Sequence, residues 1–175
     1  IGAHESEIAV ATNTTFGLNL AAFSLPLKSG DVVLSPDLEF PANVYPWMQL
    51  AARRGVEYRR LRCDGPLDVA RLTRELEDER VRVVTVSWVQ FASGARVDLA
   101  ALGTLCRERN VYFVVDAIQG LGPLTLDLAS TPVDILACGA QKWLLSPWGS
   151  GFVYVRRELV QQLQPEEPLI GQAAL

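Results

Sequence analysis

Short apolar runs rich in valine, isoleucine and aromatic residues recur along the chain. They alternate with longer stretches in which apolar side chains return every three or four positions. The short runs predict β-strands at 7–12 (EIAVAT), 31–36 (DVVLSP), 56–61 (VEYRRL), 81–88 (VRVVTVSW), 111–117 (VYFVVDA), 134–139 (DILACG) and 151–156 (GFVYVR). The longer stretches predict helices over TTFGLNLAAF after the first strand, PANVYPWMQLAARRG after the second, and DVARLTRELEDE, DLAALGTLCRERN and RRELVQQLQ further on. Asp68 and Asp98 open two of these as N-caps, and Val69, Leu72 and Leu76 share a face. Arginines followed by Gly55 end another in the manner of a helix stop.

Strand, helix, strand, helix predicts an α/β fold: a mostly parallel seven-stranded sheet with helices on both faces and right-handed crossovers. The last two strands are joined by a loop holding Lys142, with no crossover helix between them. A hairpin there makes one strand antiparallel. In such sheets ligands lie beyond the carboxyl ends of the strands, so the residues that follow each strand carry the functional question.

Composition narrows the chemistry. The 175 residues suffice for one domain with a real core. A net charge of −4, with arginine pairs scattered at 53–54, 59–60 and 156–157, argues against nucleic acid. There is no apolar run long enough for a membrane span and no visible secretory signal. Cys63, Cys106 and Cys138 lack metal-like spacing and suit a reducing, cytoplasmic compartment. The single histidine, His4, weakens histidine-dependent nucleophilic triads and histidine-rich metal sites, and no metal is expected. The chain starts at Ile1 rather than Met and ends without a finishing signal, which reads as a fragment.

Four stretches at strand ends remain. In TNTTFGLN, Asn13 or Thr14 caps a helix, Thr14 and Thr15 offer hydroxyls beside free N–H groups, and Gly17 permits close approach. That makes an anion site or a plain cap; neither a Walker loop nor a dinucleotide fingerprint is present. Phe40, fixed as extended by Pro41, covers a flat ring or staples its own helix. Asp116 ends a strand of apolar residues, with Gln119 three positions on, and either caps a turn or holds a cation at the sheet edge. Lys142, one of only two lysines, sits in a run with Trp143, Leu144, Leu145 and Trp148. A lysine in apolar surroundings has a depressed pKa and a neutral amine fit for Schiff-base formation. The bland alternative is a snorkelling side chain. Together, an anion site, an aromatic, a buried acid and a lysine are what pyridoxal phosphate needs.

The sequence resembles the class V aminotransferase family of fold-type I pyridoxal-phosphate enzymes, which includes cysteine desulfurases, kynureninases and isopenicillin-N-epimerase-like proteins. The resemblance runs from EIAVATNTTFGLN to GSGFVYVRREL and is most specific in VVDAIQGLG and in QKWLLSPWGSGF. It implies phosphate binding by Thr14 and Thr15, ring stacking by Phe40, and an acid for the pyridine nitrogen at Asp116. It further implies a contact from Gln119 to the ring hydroxyl, a cofactor contact from Gln141, and the Schiff-base lysine at Lys142. Departures are Phe40 in place of the desulfurase histidine, Gln141 in place of a histidine, Gly139 in place of a phosphate-binding serine, and Phe91 where desulfurases carry Asn near the ring.

The resemblance implies that residues 1–175 are an incomplete cofactor-binding large domain, without the small C-terminal domain that supplies a substrate-carboxylate arginine in relatives. It implies a homodimer acting on a small amino acid by transamination, β-elimination or epimerisation, with Lys142 and Asp116 as the catalytic pair. Two other readings stand beside it: a non-catalytic protein of the same fold, and an α/β protein binding another phosphorylated ligand at the 12–19 turn.

Overall fold

The structure, a computed structural model, describes residues 1–163. Seven strands form one sheet: β1 (Ile8–Ala11), β2 (Val32–Pro36), β3 (Glu57–Leu61), β4 (Val81–Ser87), β5 (Tyr112–Asp116), β6 (Ile135–Gly139) and β7 (Gly151–Val155). Their spatial order is β1-β7-β6-β5-β4-β2-β3. Every neighbouring pair from β3 to β6 is parallel, and β7 alone runs against both of its neighbours, β6 and β1. The predicted hairpin is the β6–β7 connection. Its neck is closed where the Ala140 N–H donates to the Ser150 carbonyl at 2.9 Å.

The helices are α1 (Thr14–Ser24), α2 (Tyr45–Arg54), α3 (Val69–Glu75), α4 (Leu99–Glu108) and the short α5 (Arg157–Val160). Side chains of Asn13, Asp68 and Asp98 accept from the N–H groups of Phe16, Arg71 and Ala101, so three helix starts carry the caps that the sequence offers. Successive residues of the central strands point to opposite faces. Val83, Val114 and Ile135 join one buried cluster with Leu18 of α1 and Trp47 of α2. Val84, Val115 and Leu136 join another with Leu72 of α3 and Leu102 of α4. Both faces are therefore covered, which is why these strands read as continuous apolar runs rather than alternating ones.

Three predicted helices are shorter than their patterns. The stretch 41–55 splits into a 3-10 turn (Pro41–Asn43) and α2. Pro46 lies in the first turn of α2, where its missing N–H is tolerated, but it cannot donate to the Ala42 carbonyl and so cannot carry one helix through 42–46; the break turns Asn43 inward to its buried partners. The helix expected over 68–79 stops at Glu75, because Asp78 is drawn into ion pairs with Arg59 at 2.9 Å and Arg80 at 2.7 Å. The last predicted helix ends at Val160, and its final residue, Gln164, lies outside the described residues.

Helix α1 lies hard against β6 and β7. A Cβ on Gly17 would stand 2.7 Å from both Ala137 Cβ and Val153 Cγ2. This contact seats the α1 N-terminus at the sheet edge. Gly17→Val is expected to lower stability by roughly 1–3 kcal/mol through overpacking. A urea titration showing an unchanged midpoint would contradict the close packing. Among the described residues, no helix is long and apolar enough to cross a membrane.

Candidate functional site

The carboxyl ends of β5 and β6, the start of α1 and the loop after β6 meet at one edge of the sheet. Thr14, the first residue of α1, is buried, and its Oγ1 accepts from the Gly139 N–H at 2.8 Å. That bond ties the helix start to the end of β6. It uses a lone pair of the hydroxyl and leaves its proton free to be donated. Asn13 satisfies Phe16 N–H, while the N–H groups of the first helical turn point outward without an intrahelical acceptor. Thr15 is exposed, and its carbonyl accepts from Asn19 Nδ2 at 2.8 Å. The corner is thus built chiefly on Thr14 and Gly139, with Thr15 at its rim.

Asp116 is the last residue of β5 and is 2% exposed. Its Oδ1 accepts from the Ile118 N–H at 3.0 Å. Burial pushes its proton affinity up to about 7, reinforced by the negative charge of Glu39; the Ile118 N–H and the Lys142 ammonium oppose that rise. A carboxylate in this state is an acceptor for a buried cation. Gln119 is turned by Trp143, whose Nε1–H donates to Gln119 Oε1 at 3.3 Å. Indole nitrogen only donates, so the pairing fixes the amide and leaves Gln119 Nε2 as a donor.

Lys142 Nζ lies 5.9 Å from the Phe40 ring centre and 5.8 Å from that of Phe91. The two rings meet edge to face at 5.1 Å. Phe40 precedes the 3-10 turn in an extended conformation, as Pro41 requires, with its ring toward Phe91 and the lysine. The apolar neighbours of Lys142 are not those expected from its own loop. Leu145 and Trp148 are 89% and 86% exposed, and Trp143 turns to Gln119. The rings come instead from the connections after β2 and β4, which only the sheet order brings to β6. Cys138, the penultimate residue of β6, is fully buried, with its thiol pushed up to about 12 by burial and by Asp116, as suits a core side chain rather than a nucleophile.

Gly139 and Gln141 occupy one small space. A Cβ on Gly139 would stand 2.5 Å from Gln141 Oε1 and 3.2 Å from Thr14 Oγ1. The Gln141 amide folds back over the bare strand end, and its buried Oε1 has no partner among the described residues. The corner therefore holds a threonine hydroxyl, outward N–H groups and an unengaged amide around a position that a side chain would fill. The Thr14 hydroxyl and the N–H groups fit a phosphate, to which Gln141 can add donors only through its Nε2, and the Asp116 carboxylate fits a cationic ring nitrogen beyond it.

Sequence reasoning missed Glu39, Asn43 and Ser87. They form a buried polar cluster between β2 and β4, with Glu39 at 7% and Asn43 at 0% exposure. A polar residue on each side of two apolar strand ends is a weak signal, since each alone reads as a turn or cap.

A model of the family described as Aminotransferase class-V matches residues 1–172. The chain belongs to the class-V aminotransferase family. Among curated relatives it is 34% identical over 172 residues to isopenicillin N epimerase of Streptomyces clavuligerus, covering 95% of this chain and 43% of that protein. Among solved structures it resembles the apo structure of cysteine desulfurase from Thermococcus onnurineus NA1, at 30% identity and TM-score 0.89, covering 97% of this chain and 42% of that one. A mutant of C-DES with glycine covalently linked to the PLP cofactor is 28% identical with TM-score 0.85, covering 91% of this chain and 43% of that one. The chain spans about two fifths of the length of the curated relatives it matches.

Proposed function

We propose that this chain is the cofactor-binding large domain of a pyridoxal-phosphate-dependent enzyme that acts on a small amino acid. The observation that carries the reading is the pairing, at one sheet edge, of a buried carboxylate (Asp116) with a lysine amine held against two phenyl rings (Lys142). Family membership and a structural relative solved with the same cofactor support it.

In this reading the Thr14 hydroxyl, the Thr15 edge of the α1 N-terminus and the Gln141 amide hold the phosphate. Asp116 holds the proton on the pyridine nitrogen, Gln119 Nε2 donates to the ring hydroxyl, and Phe40 covers the ring face with Phe91 beside it. Bound there, pyridoxal phosphate supplies an electron-accepting ring joined to the substrate amino group. Lys142 would be the amine facing the cofactor's aldehyde and the base that takes and returns the proton at the substrate α-carbon. Phe40 and Phe91, themselves partly exposed, flank that lysine and carry no proton of their own. This separates the site from the histidine-stacked pattern of desulfurases and leaves transamination, β-elimination and epimerisation to groups that touch the substrate. The reading expects a carboxylate-binding arginine from a small domain outside residues 1–175. A homodimer in a reducing cytoplasm completes the reading, with the exposed Leu145 and Trp148 on its contact face; light scattering on the whole protein showing a monomer would remove that part.

The deciding experiment loads the full-length protein with pyridoxal phosphate, traps it with borohydride and maps the adduct by mass. A visible absorption band and a reduced adduct on Lys142 are expected. Neither in a folded protein would abandon the proposal in favour of another phosphorylated ligand at the 12–19 turn. A band and adduct without turnover of any amino acid would identify a non-catalytic member of the fold.

The shared space at Gly139 and Gln141 gives a further expectation. Gly139→Ser is expected to cost about 1 kcal/mol of stability, because the flexible end of Gln141 must move aside and the Thr14 hydroxyl must yield by a few tenths of an ångström. Its effect on cofactor affinity is expected to be non-additive with that of Gln141→Ala, with a coupling of roughly 0.5–2 kcal/mol. Strict additivity in a fluorescence titration would show that the two positions act separately.

A further inference from the structure

Glu39 follows β2 and is almost fully buried. Its Oε1 accepts from the Ser87 N–H at 2.8 Å. Its Oε2 accepts from Ser87 Oγ at 2.5 Å and from Asn43 Nδ2 at 3.0 Å. The Asn43 amide cannot reverse, since its Oδ1 accepts from Trp47 Nε1 at 3.2 Å and from Thr85 Oγ1 at 2.6 Å. Indole and backbone N–H groups only donate. Each Glu39 oxygen therefore faces a donor of fixed direction, and these bonds favour the ionised form against the burial that pushes its proton affinity up.

The cluster also sits next to the site. Ser87, which holds Glu39, is the register partner of Asp116 on the neighbouring strand, and the Trp88 N–H donates to the Asp116 carbonyl. The charged and titratable groups facing Asp116 are Glu39 from the connection after β2, Lys142 from the loop after β6, and Cys138 on β6. Tyr58 on β3 faces Glu39. With Glu39 and Asp116 ionised and Lys142 protonated, this edge carries one negative charge in excess. Without Glu39, Asp116 and Lys142 would balance, and a further cation at Asp116 would meet a neutral pair.

We propose that Glu39 is a positioning residue: its fixed charge, acting through Asp116, sets how strongly this end of the site holds a proton and thus a cationic ring nitrogen. The inference rests on the pyridoxal-phosphate reading for its ligand and on the Glu39–Ser87–Asn43 geometry for its cause. A purely structural role would work through the hydrogen bonds instead, by setting the path of the chain into Phe40.

The test compares wild type, Glu39→Gln and Ser87→Ala in the full-length protein loaded with ring-15N pyridoxal phosphate. Ser87→Ala deletes the hydroxyl donor but keeps the Glu39 charge and the backbone N–H. The 15N resonance reports the ring-nitrogen proton across pH. Glu39→Gln is expected to lower its apparent pKa by about one unit, and Ser87→Ala by less than about 0.3. Equal shifts in the two variants, or none in Glu39→Gln, would overturn the proposal. Should Glu39→Gln fail to fold, wild type still decides: with 13C-labelled glutamate, infrared spectra between pH 6 and pH 8 are expected to show no protonated carboxylic acid band, and such a band would overturn the charge assignment. Cofactor-free protein separates this inference from the reading beneath it. There the 13C-labelled Asp116 carboxyl, assigned with Asp116→Asn, should titrate at lower pH in Glu39→Gln than in wild type. A downward shift in protein that takes up no cofactor would keep the coupling and refute the ligand; unchanged Asp116 titration in protein that binds the cofactor would do the reverse.

Discussion

Lys142→Ala is expected to reduce turnover by at least about 10³-fold, equivalent to roughly 4 kcal/mol of transition-state stabilisation. The same change should barely affect folding. Lys142 is half-buried, and its contacts are the faces of Phe40 and Phe91, each contributing about 0.5–1 kcal/mol at such exposure. The informative companion is Lys142→Arg. Arginine keeps a positive charge near Asp116 and the two rings, but it does not give up its proton at accessible pH. If Lys142 serves as nucleophile and base, the arginine variant is as inactive as the alanine variant. If Lys142 merely balances an anion, arginine restores most of the activity. Single-turnover kinetics on the full-length protein, with denaturation curves beside them, separate the two. Equal activity of wild type and Lys142→Arg would remove Lys142 from the chemistry.

The elements around this lysine were legible in the sequence because both signals are local. Seven apolar runs gave seven strands, and the cap residues Asn13, Asp68 and Asp98 gave three helix starts. Asp116 was legible because a carboxylate directly after Phe113, Val114 and Val115 is costly unless it has a task. What was not legible depended on the order of strands in space. Glu39 and Ser87 are 48 positions apart and meet only because β4 lies beside β2. The surroundings of Lys142 failed for the same reason: its apolar sequence neighbours face outward, and rings from two distant connections replace them. Gly139 and Gln141 read as two separate departures from a family pattern, whereas folded they compete for one volume. Such couplings leave no periodic trace in a single sequence.

Asp116→Asn is expected to do two opposite things: stabilise the cofactor-free protein at alkaline pH and cripple the loaded one. The native carboxyl titrates near 7 against an ordinary value of 3.8. The folded chain therefore holds this proton more tightly than the unfolded chain does. Between those values the native state binds more protons, so stability falls as pH rises, and it levels off above about pH 7. At about 1.36 kcal/mol per pKa unit, the cost of ionising Asp116 in place reaches at most roughly 4 kcal/mol. Asparagine carries no such cost and keeps an oxygen for the Ile118 N–H. Denaturation of cofactor-free protein at pH 8 should then favour Asp116→Asn, with the advantage shrinking towards pH 4. Adding pyridoxal phosphate should reverse the order, because only the wild-type carboxylate gains a cationic partner when the ring nitrogen arrives. Wild type would recover the stability that burying Asp116 removes, and the variant, with its ring nitrogen unprotonated, would lose turnover by about 10²-fold or more. If asparagine gives a flat gain at every pH, or if the cofactor stabilises both proteins alike, Asp116 is a packing residue and not the group that meets the ring. A site residue selected for a cation it must receive should be destabilising until that cation is present, and Asp116 has the burial and the neighbours for that role.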